Sequence, residues 1–396
     1  MMRAILLAPD KFKGSLSARE AAAALEKGLR TVFPAARFET APIADGGEGT
    51  AALLCEALGG RWIAQVVQGP LGEPVAAGYA WIAGPPPYAV LEMSAASGLA
   101  RTSRRAPCCA TTYGTGELLA DAMGRGAGKV IVGLGGSATT DGGAGMAEAL
   151  GYRFLNGRGE TLSGVTPRRF REIARIVKPQ RPAFPEIVAA CDVESPLLGP
   201  RGAARLFSPQ KGAGASEVEA LEEALAHLAA VVEHDLGVAP ASRPGAGAAG
   251  GLGFGLMAFC GASIRPGFDL VAGALGLEAA IARADLVVTG EGSLDEQTLE
   301  GKGPARVAAL ARKAGKPVIA LGGRVSAAPG LRALFDDVEP LDDPAQPPVP
   351  LAQSMAQAAH RLEAAAARIG KRLVSHRHAP GSQAAAPPAG RPGGLP

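Results

Sequence analysis

The feature that most restricts this chain is a repeated unit: a strand-length apolar run, a polar loop rich in glycine and acid, then a helix. The run 4–8 is followed by the loop 10–14. Ser17 and Glu20 then form a capping box, and Ala22, Leu25, Leu29 and Val32 continue at helical spacing. A second unit joins the run 38–44 to Asp45-Gly46-Gly47-Glu48-Gly49 and a helix over 50–58. The pattern returns late in the chain, where 286–289 runs into Gly290-Glu291-Gly292 and 318–321 into Gly322-Gly323. Such alternation predicts an α/β fold with a doubly wound, mainly parallel, Rossmann-like sheet. Ligands of such sheets bind beyond the carboxyl ends of the strands, where these loops are expected.

The middle reads differently. Runs 75–81 and 88–93 predict strands separated by Gly84-Pro85-Pro86-Pro87, and a helix ending near 124 leads to the run 130–132. Residues 217–236 form an amphipathic helix, and 351–373 the last one. The expected organisation is therefore a discontinuous Rossmann-like domain (1–62 plus 285–374) with a mixed α/β domain (63–284) inserted in it. The site would lie in the cleft between them, and a disordered Pro/Ala/Gly-rich tail would occupy 375–396. With 396 residues, 47% of them apolar, the chain can bury two cores.

Several chemistries are excluded. Net charge is +3, and 371–396 holds four Lys/Arg and no acid, so the body is near neutral. That gives no footprint for nucleic acid or membrane, and no apolar stretch is long enough for a span. Five cysteines without a C-x-x-C, and a start too short for a signal sequence, point to a reducing cytoplasm. The five histidines (227, 234, 360, 376, 378) avoid the glycine loops, which argues against a Ser-His-Asp or His-zinc centre. No P-loop and no protein-kinase motif set occurs. Gly245–Gly250 fits G-x-G-x-x-G but follows Ser-Arg-Pro, not a strand, so it is a weak dinucleotide signal.

What remains is a set of loops. Gly135, Gly136, Ser137, Thr139 and Asp141 stand in one, and Gly247 and Gly250 in another, each ahead of a helix whose N–H groups can cradle phosphate. Only 10 lysines stand against 30 arginines, yet Lys11, Lys13, Lys211 and Lys302 lie in or beside glycine motifs. A compact ammonium suits phosphate. Asp10, Ser15, Gly46, Gly47, Glu48, Ser94 and Ser97 complete the candidate binding set. Asp45 is the first candidate base and Asp192 the second, with Lys13 neutralising charge. Asp10, Glu291 and Asp295 are candidates for Mg²⁺. Asp45 could equally cap the helix that follows it. Acids, lysines and glycine loops without a histidine base fit metal-assisted phosphoryl transfer.

The same residues resemble a known family. Pro9-Asp10-Lys11-Phe12-Lys13-Gly14-Ser15-Leu16-Ser17, Ala44-Asp45-Gly46-Gly47-Glu48-Gly49-Thr50 and Glu92-Met93-Ser94-Ala95-Ala96-Ser97-Gly98 are similar to motifs of the bacterial type-one glycerate kinases. So are Gly114-Thr115-Gly116-Glu117, the loop 133–145, Cys191-Asp192-Val193, Pro209-Gln210-Lys211-Gly212, the loop 244–251 and Thr289-Gly290-Glu291-Gly292, in the same order. The resemblance spans about residues 3–373. It implies ATP, Mg²⁺ and D-glycerate, two α/β domains around a cleft, 2-phosphoglycerate as product and a place in organic-acid catabolism. Lys11 departs from the smaller polar residue of many members, so the family's lysine role falls to Lys13. A kinase of another small hydroxy acid, a 3-phosphoglycerate-forming enzyme and a phosphometabolite-binding regulator stay open, as does a homo-oligomer.

Overall fold

The computed structural model describes residues 2–44, 46–180, 184–299, 301–342 and 349–378. Its strands are β1 (Ala4–Leu7), β2 (Arg37–Thr40), β3 (Arg61–Gln68), β4 (Pro74–Ile82), β5 (Tyr88–Glu92), β6 (Lys129–Gly133) and β7 (Arg153–Leu155). After them come β8 (Thr161–Leu162), β9 (Arg175–Val177), β10 (Glu186–Ala190), β11 (Ser263–Arg265), β12 (Leu286–Leu294), β13 (Val318–Val325) and β14 (Asp337–Pro340).

The ends of the chain build a five-stranded sheet, β14-β13-β12-β1-β2, parallel throughout. Its central strands are apolar on both faces, as burial under helices on two sides requires. Leu6 and Val287 face one core with the helices Leu277–Arg283 and Gly303–Lys313. Ile5, Leu7 and Val288 face the other, with Leu25 and Leu29 of helix Ala18–Arg30 and Leu362 and Ile369 of helix Ala358–His378. Ser17 and Glu20 close the expected capping box on the first of these helices. The middle of the chain builds a six-stranded mixed sheet, β11-β10-β6-β5-β4-β3, in which β3, β4 and β5 are antiparallel neighbours and the rest parallel. A small sheet, β8-β7-β9, lies beside it.

Three sequence expectations shift. Helix Thr50–Ala57 packs its Ala51, Leu54 and Cys55 on Ala80, Val90 and Ile131 of the six-stranded sheet, not on the first sheet. The chain therefore changes sheets in the segment 41–49, ahead of the boundary expected after residue 62. It returns along helix Gly267–Ala274, and the two passages touch: a β-carbon on Gly46 would lie 2.8 Å from Gly267 Cα. Second, Gly290-Glu291-Gly292 and Gly322-Gly323 are not loops past strand ends. β12 and β13 continue through them, and glycine is needed because a β-carbon on Gly290 would overlap the Leu321 carbonyl. Third, the last helix passes residue 375 and ends at His378. Arg368 and Arg372 anchor it to Glu339, which is buried in β14, and Arg372 also pairs with Asp337. The expected tail reduces to residues 379–396, which lie outside the described residues.

Candidate active site

At the carboxyl end of the five-stranded sheet opens a cleft of about 1490 Å³. The first wall is the loop after β1. Its backbone closes through Phe12 N–H to the Leu16 carbonyl and Ser15 N–H to the Phe12 carbonyl, and the Ser15 hydroxyl donates to the same Phe12 carbonyl at 2.9 Å. This tight turn presents Lys13, exposed and without an ion-pair partner among the described residues. Asp10 is pinned beside β12 by its N–H bond to the Gly290 carbonyl, which brings the 10–13 loop alongside Glu291 and Gly292. Asp10 and Glu291 are both buried, and both line the cleft. The Glu291 carboxylate accepts from the Thr298 hydroxyl at 2.8 Å. Lys302 and Gly303, at the start of a helix, complete this side.

Facing these are Gly47, Glu48 and Gly49, and from the six-stranded sheet Gly135 and Gly136. The 46–49 turn is held from two sides. The Lys11 ammonium donates to the Glu48 carbonyl at 2.6 Å, and the Glu92 carboxylate accepts from Gly49 N–H (3.2 Å) and Ala51 N–H (2.8 Å). Glu92 thus caps helix Thr50–Ala57 from a neighbouring strand, a favourable place for an anion. Burial pushes its carboxyl up, and the two N–H bonds and Lys11 pull the other way. In the sequence Glu92 stands within a family motif with no role attached to it. The one local signal is the lack of a side chain at Gly49 that could cap the helix.

Of the sequence candidates, Asp10, Lys13, Ser15, Gly47, Glu48, Gly135, Gly136, Glu291 and Lys302 therefore come together. Asp45, the first candidate base, lies outside the described residues, between cleft-lining Ala44 and Gly47. Others are placed elsewhere. Gly46 packs on Ala190 and Gly267. Ser94 starts the turn Ser94–Ser97, with its β-carbon against Gly136, and Ser97 is buried, its hydroxyl 2.8 Å from that of Thr115. Ser137 pairs with Gly98. Asp295 accepts from the Ser293 hydroxyl and from Gln297 N–H, bonds that hold its carboxyl below the usual range and spend it on a turn. Asp192 accepts from Gly267 N–H at 3.1 Å and lies 3.6 Å from the Arg306 guanidinium, which also binds Asp269 and stacks over Phe268.

The largest departure concerns the second glycine group. Thr139, Asp141, Lys211, Gly247 and Gly250 are packed inside the protein behind the cleft. Asp141 takes bonds from Thr112 N–H and hydroxyl and from Gly143 and Gly145 N–H. Lys211, read from the sequence as a candidate for phosphate, is 1% exposed and donates to the Thr139 carbonyl at 2.6 Å. Gly250 and Gly247 are glycines because a β-carbon would overlap the carbonyls of Thr139 and Pro196. Close packing of backbone on backbone, not approach of a ligand, sets these positions.

Two carboxylates beside open glycine loops suit Mg²⁺, which is held by one or two acids together with phosphate oxygens and waters. Among the described residues no cluster of three or more acid, histidine or cysteine ligands forms an all-protein cage. The same residues sit in a chain with clear relatives. The model of the glycerate kinase family matches residues 5–374. A glycerate kinase of Halalkalibacterium halodurans is 46% identical over 85% of this chain and 88% of its own length. The glycerate 2-kinase of Escherichia coli is 44% identical over 81% and 85%. The crystal structure of glycerate kinase 2 from Salmonella typhimurium LT2 superposes with a TM-score of 0.84 at 39% identity, over 96% of this chain and all of that one. With the family's match running almost from end to end and its fold reproduced, this chain belongs to the glycerate kinase family.

Proposed function

We propose that the protein transfers the γ-phosphate of ATP to D-glycerate in the cytoplasm and releases 2-phospho-D-glycerate and ADP. The observation that carries this is the cleft itself: acids, a presented lysine and glycine backbone from both sheets meet in one cavity. Loose phosphoryl-transfer transition states need positioning and charge neutralisation more than covalent help. Lys13 supplies a mobile ammonium to phosphate or to the glycerate carboxylate, and Gly135 and Gly136 let phosphate oxygens approach backbone. Asp10 and Glu291 would hold Mg²⁺, which when bound offsets phosphate charge. Asp45 accepts the proton that the attacking hydroxyl must lose, since a carboxylate within hydrogen-bond reach can do so as the bond to phosphorus forms. No helix among the described residues is long and apolar enough to cross a membrane.

The test is ADP release with D-glycerate, with Mg²⁺ and with EDTA. Glycerate-dependent turnover abolished by EDTA is expected. Absence of stimulation by glycerate removes the substrate, and turnover that survives EDTA removes the metal. Proton-coupled ³¹P NMR of the product decides the position. Phosphate on the secondary carbon couples to one proton, whereas phosphate on the primary carbon couples to two.

A further inference from the structure

We propose that Lys211 is a positioning residue for the cleft loop 134–139, acting from inside the protein through the Thr139 carbonyl. The proposal rests on the reading of Gly135 and Gly136 as phosphate-facing. Thr139 lies three residues past Gly136, which lines the cleft. Between them the loop is tied to the segment after β5: Leu99 N–H donates to the Gly136 carbonyl and Ala138 N–H to the Ser97 carbonyl, both at 2.9 Å. Its inner end is gripped at Thr139. The Lys211 ammonium takes the carbonyl on one side, and Gly250 closes in so tightly on the other that no β-carbon fits. Among the described residues the buried Thr139 hydroxyl has no partner, so the carbonyl is the side of this residue that is tied. The turn Pro209–Lys211 that carries the lysine is itself fixed to both sides. Ser208 and Thr140 hydroxyls are 3.0 Å apart, and the Gln210 carbonyl accepts from the Arg105 guanidinium.

Stability alone is a poor reason for this arrangement. Removing an ammonium from water costs several kcal/mol, and a well-packed apolar side chain of similar volume commonly does as well or better. The nearby acid does not neutralise the lysine by contact, because the Asp141 carboxylate is occupied by Thr112, Gly143 and Gly145. What a long, thin side chain with a strong donor tip achieves here is to fix one carbonyl whose loop ends in the cleft. Burial pulls the Lys211 pKa down to about 7, opposed by the charge of Asp141, and the Nζ–H donor to the Thr139 carbonyl is present in either protonation state.

The experiment is K211M in the full chain, read in two independent ways. Hydrogen exchange by mass spectrometry should show faster exchange in peptides covering 134–140, with the five-stranded sheet unchanged and the melting temperature not lowered. Kinetics should show KM for ATP raised about tenfold, equivalent to 1.4 kcal/mol, with KM for glycerate within about twofold. Wild-type exchange and wild-type KM for ATP in the folded variant overturn the proposal. If K211M does not fold, K211Q, shorter by one atom and uncharged, takes its place: the same changes support the proposal and wild-type behaviour overturns it. Should the wild-type protein fail to phosphorylate glycerate, the functional reading falls. The exchange data and the affinity for MgADP then still decide the role of Lys211, because neither depends on turnover.

Discussion

Two regions of this protein share a vocabulary and differ in what they do with it. Around the cleft, Asp10, Lys13, Glu48, Glu291 and Lys302 stand among glycines and face open space. Behind it, Thr139, Asp141 and Lys211 stand among Gly142, Gly143, Gly250 and Gly251 and face only protein. In both places glycine allows an approach that a β-carbon would block. In the cleft the approaching group can be a ligand. In the interior it is a carbonyl or α-carbon already present, such as Gly143 against Gly255. The difference lies in how the carboxylates are spent. Asp141 serves four protein donors, whereas the cleft acids stand at a cavity wall.

The two regions should separate most at Asp141. Asp141→Ala strips four donors of their acceptor inside the core, and we expect a loss of about 3–5 kcal/mol in urea unfolding. Asp10→Asn keeps a side-chain oxygen able to accept from Lys11 N–H and should cost less than Asp141→Ala. Equal stabilities for the two variants would dissolve the distinction. The converse holds for activity. Lys13→Met should lower kcat/KM by an amount worth about 2–4 kcal/mol, the scale of one preorganised electrostatic contact, with the melting temperature unchanged because the side chain is exposed. Near wild-type kinetics would move Lys13 out of the site.

Titration sharpens the contrast further. Lys211 has a folded pKa of about 7, down from 10.5 through burial, so between these values the unfolded chain holds a proton that the folded chain has released. Stability then rises with pH across that window, and the cost of the buried charge is fully present below it. Asp141 is shifted upward by burial, so its effect runs the other way on the acid side, where stability falls as pH rises above 3.8. The urea midpoint of the wild-type protein should therefore climb from pH 7 to 9 more than that of K211M. Parallel curves would show that Lys211 keeps its proton on folding and that its pKa is not lowered. The smallest effect is expected at the carboxyl end. Removing 379–396 should leave melting temperature and kinetics unchanged, whereas a cut before Arg368 removes both guanidinium ties to Glu339 and should lower the melting temperature.

Periodicity makes β1, β2, β4, β5, β6, β12, β13 and the long helices legible, because alternating and helical patterns are local, whereas β3, β11 and β14 are not among the runs read from the sequence. Ser17 and Glu20 announce their helix start for the same reason. The sheet that helix Thr50–Ala57 covers is not legible, and the sequence expectation puts it on the wrong one, since Ala51 and Leu54 carry no mark of which apolar surface they meet. In the site, Asp10 and Glu291 are readable as acids beside glycine, whereas Asp295 looks the same and closes a turn. Lys211 misleads because a lysine in a polar loop resembles a surface residue until the packing of 139 and 250 around it is known. Glu92 escapes a local reading because its partners, Gly49 and Ala51, are more than forty residues away.

The contact between Gly46 and Gly267 has a mechanical meaning. Among the described residues the chain passes between the two large sheets by these two segments, and they lie against each other. Two adjacent cords joining two bodies define a pivot. Arg306 spans the joint by holding Asp192 on one side and Asp269 on the returning cord. At their meeting point Gly46 leaves no room for a side chain, so a β-carbon there would press the two cords apart.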